Sequence, residues 1–188
     1  SGGRISPKDE TPPNLFLLDS PLPDGDFDIA VDLRIDAQTG KDQFWFGVFE
    51  DADNYIAADL WMDPGGCGVF AVLSIFKRTA GEETRDDVRL LDNEQVKLDY
   101  CTSERGLVDV EIADMAENGV RLELSRRGRR LFAAVEYTEP REGAPVRVET
   151  DAVTALGLSG RPFMLLGQYG NVRGETIAEV DRFAIVER

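Results

Sequence analysis

The chain contains no histidine, and that absence sets the chemistry open to it. Ser-His-Asp and Cys-His catalysis are excluded, which leaves carboxylates as the acid and base groups. Glycoside hydrolysis by that route needs two carboxyls about 5 to 10 Å apart, one protonated and one ionised. The spacing of Glu111, Asp114 and Glu117 is wrong for one face of a strand, and Glu50 and Asp59 fall at opposite ends of their hairpin. With 36 acids in 188 residues, solvated acidic faces are the ordinary expectation. A carboxylate-dependent hydrolase or lyase therefore stays the alternative to a non-catalytic reading.

The other chemistry within reach is stacking. Carbohydrate recognition uses aromatic rings against the apolar faces of sugars and planar polar groups against their hydroxyls. Both ingredients occur in Gln43 to Met62, QFWFGVFEDADNYIAADLWM, two apolar runs joined by Asp51-Ala52-Asp53-Asn54. Such a pattern predicts a β-hairpin. Pairing Asp51 with Asn54, or Glu50 with Tyr55, sets one common register, in which Phe44, Phe46, Val48 and Glu50 share a face with Trp61, Asp59, Ala57 and Tyr55. Phe49, Trp45, Ile56, Leu60 and Met62 then form a wholly apolar core face. Phe44, Phe46, Tyr55, Asp59 and Trp61 are the candidate carbohydrate-binding residues. Burial of that face under another layer is the competing expectation, and it would favour a scaffold or protein-interaction domain without a glycan site.

Composition narrows the partners. The formal net charge is −15, which disfavours nucleic acid and anionic membranes, since both need a clustered basic surface. No stretch approaches the roughly 18 apolar residues of a membrane span. An acidic surface suits a secreted or salt-exposed protein as well as a generic acidic, soluble domain, and the location expected here is secreted or periplasmic. Cys67 and Cys101 form a disulfide or remain two buried thiols according to compartment.

The rest of the chain supplies the strands that must position the hairpin. Residues 1–13 read as an irregular arm, with Pro7, Pro12 and Pro13 blocking regular pairing, and 14–188 as one domain. Asn14 to Asp19 is a short edge strand. Phe27, Ile29, Val31, Leu33 and Ile35 alternate with Asp28, Asp32 and Arg34, which predicts a half-buried strand. Val69 to Phe76 follows the hairpin as a further apolar run, and Arg78 to Asp87 reads as a polar loop. Val88 to Leu98 reads as strand rather than helix, and Leu107 to Ile112 alternates. Val120 to Ser125 and Leu131 to Tyr137 form a second hairpin about Arg126-Arg127-Gly128-Arg129-Arg130, whose charge run reads as a solvated turn. Val146 to Val148 is a short strand, and Thr150 to Leu156 one helical turn or a single helix. Pro162 to Tyr169 and Ile177 to Val186 are the last strands. Many short strands and little helix predict an all-β, two-sheet antiparallel β-sandwich or jelly roll.

Several of these segments together resemble the concanavalin A-like lectin/glucanase superfamily, in particular sandwich domains appended to bacterial glycosidases such as β-xylosidases. The resemblance lies in Gly47-Val-Phe49 followed by Asp51 to Ile56, in the Val120 to Val135 hairpin, in Pro162 to Gly167, and in Ala178 to Phe183 with its Asp181. The chain departs from that pattern at Glu136 to Pro145. What the resemblance implies is a jelly roll with a glycan-facing sheet and, often, a structural calcium. Because terminal strands of that superfamily lie together, Asp24, Asp26 and Asp181, with Asp19, become the candidate calcium ligands. A poly- or oligosaccharide is the implied partner. One activity is not implied, since the same sandwich hosts hydrolases, lyases, lectins and spacers.

Overall fold

The computed structural model describes residues 15–36, 42–63, 70–90, 115, 117–138, 143–155, 157, 159–168 and 177–188. Twelve strands are present among them: β1 Leu15–Leu17, β2 Phe27–Asp36, β3 Asp42–Asp51, β4 Asn54–Asp63, β5 Phe70–Thr79, β6 Glu82–Arg89, β7 Val120–Arg127, β8 Arg130–Thr138, β9 Pro145–Glu149, β10 Val153–Thr154, β11 Arg161–Gln168 and β12 Ile177–Glu187. They form two antiparallel sheets that do not close into a barrel. The first has the order β1-β11-β3-β4-β5-β6. The second runs β10-β8-β7-β2-β12, with β9 also paired to β8. The chain is the all-β sandwich that its alternation predicts.

The inner faces follow from period-2 patterning. Phe27, Ile29, Val31, Leu33 and Ile35 on β2 meet Leu122, Leu124, Ala133 and Val135 of their own sheet in one buried cluster. The first sheet contributes Phe44, Phe46, Val48, Ile56, Leu60, Leu73 and Ile75. These side chains are at most 3% exposed, and burying each fully contributes roughly 1.5–3 kcal/mol before chain entropy is opposed to it.

Several local expectations are corrected. Arg78 to Asp87 is not a loop: β5 runs to Thr79, Ala80-Gly81 forms a two-residue turn with φ of 50° and 81°, and β6 returns opposite β5. The charges of EETRDDVR hide this strand, because an edge strand exposed from Glu82 to Arg85 needs no apolar stripe there. Thr150 to Leu156 yields no helical turn among its described residues. Thr150 Oγ1 accepts the Ala133 amide at 3.1 Å, and β10 then pairs Val153 with Leu131. The predicted strand Leu107 to Ile112, residues 91–98, both cysteines and the arm 1–13 lie outside the described residues.

The arginine-rich tip is only partly a solvated turn. Arg127 and Arg130 pair across Gly128-Arg129, with Gly128 at φ 58°. Arg127 then turns back to the carboxylate of Asp28 at 2.7 Å, and the Gly128 amide donates to Asp26 at 2.6 Å. The tip is therefore tied to the start of β2.

Candidate functional site

The β3–β4 hairpin is present, but its register is one residue from the expected one. Asp51 does face Asn54, and Asp51 Oδ1 accepts both the Asp53 amide at 2.8 Å and the Asn54 side-chain amide at 3.0 Å. The register then shifts between Phe49 and Asp51, so that Phe49, not Glu50, lies opposite Tyr55. Glu50 is the extra residue of a β-bulge, and a one-residue shift exchanges the faces of a strand. Beyond it Val48 faces Ile56, Phe46 faces Ala58 and Phe44 faces Leu60.

The five candidate residues are consequently divided. Phe44 and Phe46 are 2% and 0% exposed in the core between the sheets. Tyr55, Asp59 and Trp61 stand on the opposite face of the first sheet, joined there by Gln43, Trp45 and Phe49 from β3. The expected all-apolar face of Phe49, Trp45, Ile56, Leu60 and Met62 does not exist as one surface, because β3 contributes to it from one side and β4 from the other.

This outer face is laid out in cross-strand rows. Phe163, Gly47, Ala57 and Phe76 form one row, and Leu165, Trp45, Asp59 and Ser74 the next. Gln43 and Trp61 face each other in the third. Trp45 and Phe76 have ring centroids 4.8 Å apart, and Phe49 lies 5.8 Å from Phe163. The Arg85 guanidinium sits 4.7 Å from the Phe76 ring, within cation–π range, and also bonds Asp87. Gly47 is required where it stands: with φ at 151°, a Cβ there would come 2.2 Å from the Ile56 carbonyl oxygen.

Polar groups are embedded in this aromatic layer. Gln43, Asp59 and Ser74 are 6%, 1% and 0% exposed, while Trp61 is half-buried. Gln43 Oε1 and Trp45 Nε1 find no hydrogen-bond partner among the described residues. A buried acceptor and a buried donor left unpaired cost roughly 1–3 kcal/mol each. Gln43 and Trp45 are two apart on one strand, so this acceptor and this donor lie on the same face of the sheet. Sequence reading missed Gln43 and Trp45. Their signal was the match of Phe44-x-Phe46-x-Val48 to Ile56-x-Ala58-x-Leu60, two apolar stripes that align only in the observed register.

The calcium candidates are not brought together. Asp26 accepts from Gly128, whereas Asp181 sits in a β12 bulge beside Leu33 and accepts from Arg34 at 2.9 Å. Six strand residues, about 20 Å, separate Asp181 from the end of β12 that lies beside Phe27. No cluster of three or more His, Cys, Asp or Glu residues suited to a metal occurs among the described residues.

The second sheet's outer face is organised by ion pairs. Burial alone would raise the Asp28 carboxyl, but hydrogen bonds from Ser125, Arg188 and Arg127 outweigh it and hold the group below its ordinary value. Glu123 behaves likewise: burial opposes ionisation, and bonds from Arg147 and Arg121 pull its pKa down. No helix among the described residues is long and apolar enough to cross a membrane.

No protein-family model and no protein of curated function matches the sequence. Solved structures do share its architecture. A mutant of the GH43 protein BlXynB from Bacillus licheniformis superposes with a TM-score of 0.54 at 10% identity, over 87% of this chain and 28% of that one. The likeness is one of fold, consistent with a concanavalin A-like sandwich. The exoplasmic/lumenal domain of VIP36 in its Ca2+/Man-bound form matches with a TM-score of 0.52 at 13% identity, covering 98% of this sandwich and 77% of that domain. A functionally unknown protein from Saccharomyces cerevisiae gives 0.50 at 13% identity, over 87% and 70%. The chain thus spans little more than a quarter of the bacterial protein.

Proposed function

We propose that the protein is a non-catalytic carbohydrate-binding sandwich domain, secreted or periplasmic, acting alone or as a module of a polysaccharide-processing protein. Residues 14–188 act as its one domain. The observation that carries this reading is half-buried Trp61 directly opposite Gln43, whose Oε1 finds no partner among the described residues, on the outer aromatic face of the first sheet. Aromatic rings beside a planar polar group are the equipment that sugar recognition uses. The likeness to a Ca2+/Man-bound domain and to a GH43 protein agrees with it at the level of fold. Tryptophan fluorescence against soluble polysaccharides, in the native protein and in Trp61→Ala, tests it.

One observation favours a structural role instead. Trp45, Tyr55 and Asp59 are at most 3% exposed, so much of the layer is covered within the chain, as a scaffold would have it. Under the binding reading the ligand contacts the Gln43–Trp61 end of the layer. Under the scaffold reading it contacts nothing there.

A further inference from the structure

The β7–β8 hairpin turns through Arg126-Arg127-Gly128-Arg129-Arg130, the densest run of positive charge in a chain of net charge −15. The fold uses only part of it. Arg127 reaches Asp28 at 2.7 Å and the Phe27 carbonyl at 3.2 Å, and Arg126 Nε donates to the Gly128 carbonyl at 3.2 Å. Arg129 and Arg130 are exposed, and their side chains have no hydrogen bond or ion pair among the described residues. Arg127 and Arg130 are directly opposed across the turn, and like charges so placed are destabilising. The fold gains nothing from that second guanidinium.

The register defines the face on which these groups stand. Ser125 lies opposite Asp28 on one side and Phe132 on the other. Arg127 is two residues from Ser125 on β7, and Arg130 two from Phe132 on β8, so all of them share the outer face of the second sheet. Leu124, Leu131 and Ala133 alternate with them and are buried in the core on the opposite side. Arg188 joins the outer face through Asp28 at 2.5 Å. Phe132 is half-buried there, with the Arg127 guanidinium 6.0 Å from its ring centroid. Asp26 and Asp28, the acids bonded to this tip, are outnumbered by Arg127, Arg129, Arg130 and Arg188.

Guanidinium forks match carboxylates in bidentate pairs, and a ring beside them takes the apolar face of a sugar. The acidic remainder of the surface repels a dense polyanion, which favours a ligand of low charge density held at the tip alone. We propose that the outer face of this tip is a docking surface for an acidic polysaccharide with one carboxylate per ring, a uronate chain. Its carboxylates pair with Arg130 and Arg129, and a sugar C–H face lies on Phe132. This surface is on the opposite outer face of the sandwich from Gln43 and Trp61, and it stands or falls separately from the hairpin site.

A galacturonate trisaccharide and its neutral methyl ester are the probes, followed by amide chemical shifts of the 15N-labelled full chain at low salt. Saturable shifts from Arg127 to Phe132 are expected with the acid, and binding at least about tenfold weaker with the ester, the loss of roughly one charge-assisted bond. Arg130→Gln and Arg129→Gln should each weaken the acid about tenfold. Both should leave the urea midpoint unchanged, since neither side chain makes a bond in the fold. Trp61→Ala leaves the tip shifts unchanged. Shifts absent at saturation of the probe's solubility, equal for acid and ester, or unaltered by both arginine variants overturn the proposal. A glutamate peptide or an oligonucleotide of equal charge that binds as tightly overturns it too.

Discussion

Gln43, 6% exposed, stands directly opposite Trp61 on adjacent strands of the first sheet, its Oε1 without a partner among the described residues. A side chain of this kind is costly in a purely structural layer, and replacing it by an apolar isostere is then neutral or stabilising. Gln43→Leu is expected to leave the free energy of unfolding unchanged or raised by up to about 1 kcal/mol, while abolishing glycan binding. Equilibrium unfolding and a binding titration on the same sample check both halves. A loss of more than about 2 kcal/mol would show instead that the amide is needed for folding.

The bulge at Glu50 predicts which deletion the hairpin tolerates. Removing Glu50 leaves Asp51 opposite Asn54 and Phe49 opposite Tyr55, so β3 keeps its faces; it loses the hydrogen bond from Ser159. Removing Val48 instead carries Phe46 and Phe44 to the outer face. The first variant should unfold cooperatively within roughly 1–2 kcal/mol of the parent and the second should not fold. Equal behaviour of the two by circular dichroism and urea titration would contradict the register.

Gly47→Ala is expected to destabilise by about 2 kcal/mol or more, because the new methyl meets backbone, at 2.2 Å from the Ile56 carbonyl oxygen, rather than a side chain that can turn aside. Gly128→Ala, where a Cβ meets nothing within 4 Å, incurs only the positive-φ cost of roughly 1 kcal/mol. The difference between the two midpoints is the quantity to measure.

Asp28 and Glu123 set an acid limit. Both are held below their ordinary values in the folded chain, so the unfolded state binds protons first as pH falls. Their contribution is complete above the unfolded carboxylate range near pH 4 and is lost as pH drops through the lower folded values. Thermal midpoints should fall below about pH 4. Asp28→Asn should be less stable at pH 7 and show a shallower decline, and an unchanged slope would remove Asp28 from the account.

Much of the fold is legible in the sequence, for definite reasons. Phe27 to Ile35 alternates without interruption, and Gly128 marks the second hairpin, so both are placed correctly by period and turn chemistry alone. The edge strand at Leu15–Leu17 is placed too. Glu82–Arg89 is not legible, since a charged strand carries no apolar period. Nor is the outer face. Its composition depends on one inserted residue at Glu50, which turn chemistry at Asp51–Asn54 does not reveal, because the turn itself is as expected. Aligning the apolar stripes of β3 and β4 finds the register, whereas counting outward from the turn misses it. Separation of Asp181 from Asp26 was illegible for a related reason: it depends on how far along β2 the last strand runs before it meets Phe27.

The most direct test of the central claim is intrinsic tryptophan fluorescence during titration with soluble polysaccharides, with and without calcium, since Trp45 and Trp61, the only two tryptophans, both lie on the outer face. The binding account predicts a saturable change with one neutral glycan class that disappears in Trp61→Ala while the unfolding midpoint holds. No change with any glycan in either condition, the protein being folded, would contradict it and leave the outer face as an internal packing layer.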